Sequence, residues 1–511
     1  MVKVLVLGLD GLDFSMLPLL SSLPSNSIKL KLDSLIPLTF PSWASIMTGV
    51  NPGKHGIYGF FKYEKTESRW RARSVSAYDL EYPRIHEALA LARLTRKSLI
   101  IGPMPPHPCL PCRNSDILCI TQFSEFAYTS GEVLNKLYDV KKLTAAMESL
   151  RRPNLGRVLL DAALKIVEAH ISALENLHSL KDRYDLLWLY VNLPDTYLHR
   201  CPQAFDKPNK LLTPLINKLN DLVRKALESS EDLVITSDHG FSKFKYAVRI
   251  NRILYDHGLV KVGKGGIIDI YSDKAVTHRR EVIRLHPRII PYVHRALPAP
   301  LRRFLRSAVL VLRKLLHRQI TISAPPRIDE HESKAFMPIG SSPAIIGNIV
   351  LLNDPKYART VAKILRSYGL DAYVADELLS GPLTPKNLVF VLQKEDRLAT
   401  SGTTYSDPIE EVPRVGHSRY GVLVAKLEGR STPQNVLPDI SPNTVVAPLV
   451  LSRLNAPLGV EMDSINLALK ICGKEQSDVK YLKYRPMWII YKKMLAFKEK
   501  SRGKTAFSRK N

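Results

Sequence analysis

The sequence predicts an α/β fold, with a mostly parallel sheet sandwiched by helices. Two observations lead there. Short β-branched or apolar runs alternate with longer stretches of helical periodicity, the pattern of strands buried on both faces. In addition, Asp10, Asp195 and Asp238 each stand a few residues past such a run, and open α/β sheets bind ligands beyond the carboxyl ends of their strands. With 511 residues, 45% of them hydrophobic, and a mean hydropathy of −0.08, the chain can build one large core or two to three domains.

Taken in order, residues 2–7 read as a buried strand leading into Leu-Gly-Leu-Asp10-Gly. A carboxylate there is either a metal ligand or a helix cap. The run Pro-Leu-Thr39-Phe-Pro-Ser-Trp-Ala-Ser-Ile-Met-Thr-Gly follows. Thr39 or a near neighbour is placed at a helix N-cap, Pro41 in the first turn and Gly49 at the end. A hydroxyl there is an ordinary cap, or it faces a bound phosphoryl group at the positive end of the helix dipole. Ser98–Ile101, Leu186–Val191, 233–236, 345–352, Leu388–Leu392 and 420–425 continue the strands, and 157–177, 210–228 and 357–368 read as helices.

Asp195-Thr-Tyr-Leu-His199 follows one of these strands. Asp and His four apart on one turn can reach a single metal, although the same pattern also starts surface helices. Asp238-His239-Gly240 ends the strand Leu-Val-Ile-Thr-Ser, with the glycine expected to relieve the backbone. His417 lies in Val-Gly-His-Ser-Arg-Tyr-Gly just before a strand, where a lone histidine is more often a loop residue than a ligand. Together these positions offer three carboxylates, three imidazoles and a hydroxyl, a set able to hold two divalent metals beside a nucleophile.

Charge bounds the partners. A net charge of +26 and a pI near 9.7 favour phosphorylated small molecules, nucleic acid or acidic lipid. No RNP, KH or zinc-finger signature is present, so nucleic acid is not expected as a specific partner. The N-terminal run is short and strand-like rather than a signal peptide. No run approaches the roughly 18 apolar residues of a spanning helix. The expectation is a cytoplasmic protein, with peripheral contact to an anionic membrane left open as an alternative. Five cysteines do not suggest a disulfide framework, and Cys109-Leu-Pro-Cys112 reads as a proline-rich loop.

Two regions break the rhythm. Residues 263–326 form a basic insertion. Within it, 301–320 places Leu301, Phe304, Leu305, Ala308, Leu312, Leu315 and Leu316 on one helical face, with arginines and a lysine on the other. Such a helix either lies in a membrane interface or packs its apolar face on the core. Residues 466–511 read as a basic tail with Trp488, Tyr491 and Phe497 among lysines. The catalytic domain is then 1–262 plus 327–465.

The order Asp-Gly, Thr-Phe-Pro, Thr-Gly-Val-Asn-Pro-Gly-Lys-His-Gly-Ile, Asp-x-x-x-His, Ser-Asp-His-Gly-Phe and a late Gly-His resembles the alkaline phosphatase superfamily, in its type I phosphodiesterase/nucleotide pyrophosphatase branch. The stretch from Leu437 to Ser464 looks like that family's closing helix. The resemblance implies an alkaline-phosphatase-like fold. It further implies that Asp195, His199 and His417 bind one metal and Asp10, Asp238 and His239 the other, usually zinc, with Thr39 as nucleophile and ligand. The implied activity is hydrolysis of phosphodiesters or nucleotide pyrophosphates through a covalent phospho- or nucleotidyl-threonine. A phosphomonoesterase or phosphotransferase on a lipid-linked substrate is the alternative within that chemistry. A non-catalytic basic protein binding membrane or nucleic acid is the alternative outside it.

The chain departs from the family at His55-Gly-Ile-Tyr-Gly-Phe-Phe, where nucleotide pyrophosphatases carry a phosphate-contacting Asn. The sulfatase signature is absent at the nucleophile. So is any match to the inserted domain of the phosphoglycerate mutases.

Overall fold

The computed structural model describes residues 1–66, 70–120, 126–151, 156–180, 183–205, 208–263, 328–338, 349–402, 404, 407–429 and 434–507. The basic insertion, including the amphipathic stretch 301–320, lies outside the described residues apart from Gly263.

The strands that matter for the site are, along the chain, β1 (Val2–Leu9), β2 (Ile28–Asp33), β3 (Ser98–Ile101), β4 (Ser115–Ile120), β5 (Phe126–Tyr128), β6 (Leu186–Val191), β7 (Ser230–Thr236) and β8 (Gly240–Arg249). Then come β9 (Ala335–Phe336), β10 (Ile349–Leu352), β11 (Asp371–Val374), β12 (Leu388–Leu392), β13 (Arg397–Thr400), β14 (Ile409–Ser418), β15 (Tyr420–Lys426) and β16 (Ile440–Pro442). The main helices are α1 (Thr39–Thr48), α2 (Gly156–Glu175), α3 (Asp195–Arg200), α4 (Thr213–Ser229), α5 (Ala358–Ser367), α6 (Val446–Arg453), α7 (Ile465–Cys472) and α8 (Tyr484–Phe507).

Nine strands make the main sheet in the order β16-β2-β15-β7-β1-β6-β3-β4-β5. β1 lies between β6 and β7, parallel to both. Its residues alternate between two cores. Leu5, Leu7 and Leu9 face the side covered by α2 and α4, and Val4 and Val6 face the side covered by α1, α6 and α7. β6 does the same, with Leu187 and Leu189 on one side and Trp188 and Tyr190 on the other. Burial on both faces is why these strands read as continuous apolar runs. β7, β1 and β6 therefore end side by side, and Asp238, Asp10 and Asp195 leave from neighbouring strand ends.

Three strand assignments need correction. Of the strand expected over 345–352, residues 345–348 lie outside the described residues; 349–352 and 388–392 do not extend the main sheet. They form β10 and β12 of a separate four-stranded sheet, β9-β10-β12-β11, which is antiparallel and has its own core with α5. A short apolar run states that it is buried but not which sheet receives it. Residues 420–426 do join the main sheet, as β15, but antiparallel to both β2 and β7. β7 runs on into β8 and β14 into β15, and because β14 returns antiparallel to β8, β15 returns antiparallel beside β7. The helix expected over 210–228 is broken into Pro208–Leu211 and Thr213–Ser229, because Pro214 removes a backbone donor.

The stretch expected as a basic tail is largely built into the fold. Ala468, Leu469, Ile471 and Cys472 of α7 are buried, as are Tyr484 and Trp488 of α8. The Trp488 indole donates to the Leu80 carbonyl at 2.9 Å and the Tyr491 hydroxyl to the Pro111 carbonyl at 2.9 Å. Two of the three aromatic residues expected to meet a membrane thus anchor α8 to the domain. Cys109 and Cys119 form a disulfide with Cα atoms 5.9 Å apart. This departs from the reading of the cysteines, because β4 brings Cys119 back beside its own preceding loop. Cys112, Cys201 and Cys472 are free. No described helix is long and apolar enough to cross a membrane.

Candidate two-metal site

Four junctions place six of the seven singled-out residues, and His417 lies within a strand. Asp10 directly follows β1 and is 1% exposed. It is not a helix cap, since the following short helix is capped by Asp13 through the Ser15 amide. Instead Asp10 Oδ2 accepts from the Tyr190 hydroxyl at 2.5 Å and the Trp43 indole at 3.3 Å. Asp195 opens α3 and is buried. Its amide donates to the Asp10 carbonyl at 2.9 Å, which ties the ends of β1 and β6 together. Asp238 and His239 lie between β7 and β8, fully buried. His417 lies just before β15, as expected, but itself belongs to β14, in register with Phe241 of β8.

Asp195, His199 and His417 form one cluster and Asp10, Asp238 and His239 another, with the ligand atoms of each cluster all within 4.8 Å of one another. In the first, the two Nε2 atoms of His199 and His417 are 2.7 Å apart and lie 3.3 and 3.2 Å from Asp195 Oδ1. His417 Nδ1 donates to the Pro37 carbonyl at 2.9 Å, which leaves a lone pair on Nε2, as metal ligation requires. In the second, His239 Nε2 lies 3.2 Å from Asp238 Oδ2 and 3.6 Å from Asp10 Oδ1, while Nδ1 is turned to the Gly240 carbonyl at 3.2 Å. The rings of His239 and His417 stack at 3.6 Å between centroids and so join the clusters.

A cation fits both. Asp10 Oδ1, Asp195 Oδ1, Asp238 Oδ2 and His239 Nε2 are buried and make no hydrogen bond, although buried polar atoms are normally satisfied. The charges inside point the same way. Burial and the charge of Asp195 push Asp10 up to about 8. Burial and the charge of Asp10 raise Asp238 well above the usual carboxylate range. Burial would also raise Asp195, but His199 and His417 hold it well below. Burial and the neighbouring His417 keep His239 neutral. Three carboxylates meeting in a dry site need positive charge to ionise together, and mixed imidazole and carboxylate donors suit a divalent transition metal.

Thr39 is the first residue of α1, one place later than a cap. The cap is Leu38, which gives no side-chain hydrogen bond, so the Thr39 hydroxyl is not used to end the helix. Its chain neighbours touch both clusters. Pro37 holds His417 of the first, and Ser42 donates to the Asp238 carbonyl of the second at 2.6 Å. Thr39 sits between these two attachments, where the unpaired amides of the first turn face outward.

Several supporting residues escape sequence reasoning. Ser34 also donates to the Asp238 carbonyl. Asn443 braces both serines, from Nδ2 to Ser42 Oγ at 2.9 Å and to Ser34 Oγ at 3.3 Å. Tyr190 and Trp43 hold Asp10, yet both read as core aromatics. A polar residue interrupting an apolar run, as Ser42 does beside Trp43, is the one signal available. Gly240 is required by space rather than by φ. A Cβ there would meet Asp13 Oδ2, Ser418 Oγ and the Tyr420 carbonyl. His55 is structural, donating from Nε2 to Ser45 at 3.0 Å and accepting from the Ile57 amide at 3.1 Å. Tyr58, close to where nucleotide pyrophosphatases carry Asn, donates its hydroxyl to the Leu383 carbonyl.

The family model for type I phosphodiesterase / nucleotide pyrophosphatase matches residues 4–360. His417 and Asn443 lie beyond that match and are brought to the site by β14 and by the start of the α6 segment. No curated protein matches the chain by sequence. Among solved structures, phosphonoacetate hydrolase from Sinorhizobium meliloti 1021 in complex with phosphonoformate is similar with a TM-score of 0.52 at 12% identity, over 88% of this chain and 95% of that chain. Human ectonucleotide pyrophosphatase / phosphodiesterase 5 gives a TM-score of 0.48 at 12% identity, over 91% of this chain and 99% of that chain. The first of these likenesses shows a shared fold.

Proposed function

The chain belongs to the type I phosphodiesterase/nucleotide pyrophosphatase family and is a metal-dependent hydrolase of phosphate esters; within that class we propose that it cleaves phosphodiesters or nucleotide pyrophosphates through a covalent intermediate on Thr39. Asp195, His199 and His417 would hold one divalent cation, and Asp10, Asp238 and His239 a second, with zinc the metal their donors suit. Two such ions supply charge stabilisation for the entering and leaving oxygens of an in-line displacement.

The residues of the chain do the rest. Thr39 Oγ1 attacks phosphorus as its hydroxyl proton passes to solvent, the Oγ1–P bond forms, and the bond to the leaving oxygen breaks, that oxygen keeping the electron pair and taking a proton from water. Water then attacks the phosphorylated Thr39 in line and gives up a proton to solvent, and the bond to Oγ1 breaks with Oγ1 taking a proton to restore the hydroxyl. The two displacements together retain configuration at phosphorus. The start of α1 favours the anionic group in this position through its free amides and dipole. His417 and His239 are kept as lone-pair donors by the carbonyls of Pro37 and Gly240.

The observation that carries this reading is the set of four buried ligand atoms without partners in two adjoining clusters. The test is to measure bound metal and turnover of a bis-aryl phosphate diester, a nucleotide diester and the aryl monoester, for the wild type and Thr39→Ala. Turnover that survives in Thr39→Ala overturns the mechanism. A preference for the monoester overturns the substrate class.

A further inference from the structure

Helix α8 is built in two unlike faces. Tyr484, Trp488 and Lys492 are buried, and the Lys492 ammonium is held by the carbonyls of Tyr78, at 2.9 Å, and Leu80. This face fixes the helix to the domain. Turned about a third of a revolution away, Met487, Ile490, Met494 and Phe497 follow one another at spacings of three, four and three. They therefore form one stripe along the helix. Their exposures are 36%, 61%, 54% and 73%. Four large apolar side chains in a row on one exposed helix face mark an interaction surface rather than scattered surface residues.

The charge around the stripe selects the partner. Lys493 borders it on one side and Lys498 on the other, and both are exposed. From Lys480 to the last residue the chain carries eleven Lys and Arg against one acid, Glu499. A second copy of the chain would bring lysine rows against lysine rows. An anionic bilayer instead accepts the stripe among its acyl chains and the flanking ammonium groups among its headgroups.

We propose that α8 docks this protein on an anionic lipid surface, lying in the plane of the membrane with Met487, Ile490, Met494 and Phe497 inserted. The Trp488 side holds the helix to the enzyme, so the docked helix places the catalytic domain at the membrane surface. This inference is independent of which ester the site cuts.

The experiment is cosedimentation of the full chain with vesicles of phosphatidylcholine alone and of phosphatidylcholine with phosphatidylglycerol, at low and high salt. It compares the wild type with Ile490→Gln/Phe497→Gln and with Lys493→Glu/Lys498→Glu. The substituted side chains are exposed, and unchanged circular dichroism and turnover of a soluble ester verify the fold. The wild type is expected to bind only the anionic vesicles and to be released by salt. Each double variant should lower the partition coefficient by roughly tenfold or more. No binding to anionic vesicles overturns the proposal. Binding that the variants leave intact also overturns it, by placing the contact elsewhere, as does a dimer that Ile490→Gln/Phe497→Gln dissolves without any vesicle binding.

Discussion

Asp10, Asp238 and His239 are sealed, at 1%, 0% and 0% exposure, whereas His199 of the other cluster keeps 26% of its side chain open to solvent. The surroundings differ as much as the exposure. The sealed cluster is braced by Tyr190, Trp43, Ser34, Ser42 and Asn443. Among the described residues the open one is held by the Asp10 carbonyl, which takes the Asp195 amide, by the Pro37 carbonyl and by the edge of the Phe241 ring. One half of the site is thus sealed within the sheet, while the other is partly open to solvent. A rigid ligand set binds its ion tightly and exchanges slowly, and a looser one lets the ion and its surroundings adjust during turnover.

The largest effect belongs to Thr39, the proposed nucleophile, whose chain neighbours Pro37 and Ser42 touch one half each. Thr39→Ala should lower kcat by roughly a thousandfold or more with both metals retained, as metal analysis and steady-state assay will check. Loss of metal in that variant would break the comparison by making Thr39 a structural part of one half. Next come the ligands. Asp238→Asn and Asp195→Asn should each remove one equivalent of metal and lower turnover about a hundredfold or more, read by metal stoichiometry on the dialysed proteins.

The supporting network gives a smaller and one-sided effect. Asn443→Ala should weaken metal binding at the sealed cluster by roughly 10–100-fold and leave the open cluster unchanged in a competitive chelator titration. Equal weakening of both would show that the two halves are one unit. Chelation of the wild type should be biphasic, with the open cluster emptied first.

The smallest effect concerns the metal-free protein. Asp10 is raised to about 8 by burial and by Asp195, so the folded chain binds a proton there that the unfolded chain has released. Stability from this group is therefore present at acidic pH and falls as pH rises from about 4 to about 8. Metal-free Asp10→Asn should match metal-free wild type near pH 4. At pH 8 it should exceed it, on the order of 1 kcal/mol or more, in thermal melts. A variant that is less stable at both pH values would assign Asp10 a purely structural role.

How much of this could be read from the chain follows from the same contrast. β3, β6 and β12 were legible to the residue, because burial on both faces writes a strand as an unbroken apolar run. The candidate ligands Asp10, Asp195 and Asp238 stood out because a carboxylate just past such a run has no packing role. The bracing was not. Pro37 acts through a carbonyl that any residue would present. Ser34 and Ser42 bond to a backbone atom about two hundred residues away, and Asn443 bonds to those serines. Tyr190 and Trp43 sit where core aromatics belong. The separate β9–β12 sheet and the Cys109–Cys119 bridge depend on which segments meet, and local pattern carries no record of that.

The order of the main sheet has a consequence for the birth of the protein. β15 separates β2 from β7, and β2 has only β16 on its other side. His417 and Asn443 reach the site from the same late stretch of chain. At roughly 5–20 residues per second, on the order of 20 to 80 s of translation separate the emergence of Asp10 from that of His417. Throughout that interval β2 has neither of its sheet partners and the open metal cluster lacks a ligand. A chain interrupted before His417 therefore carries β2 without a sheet partner and only two of the three residues of the open cluster.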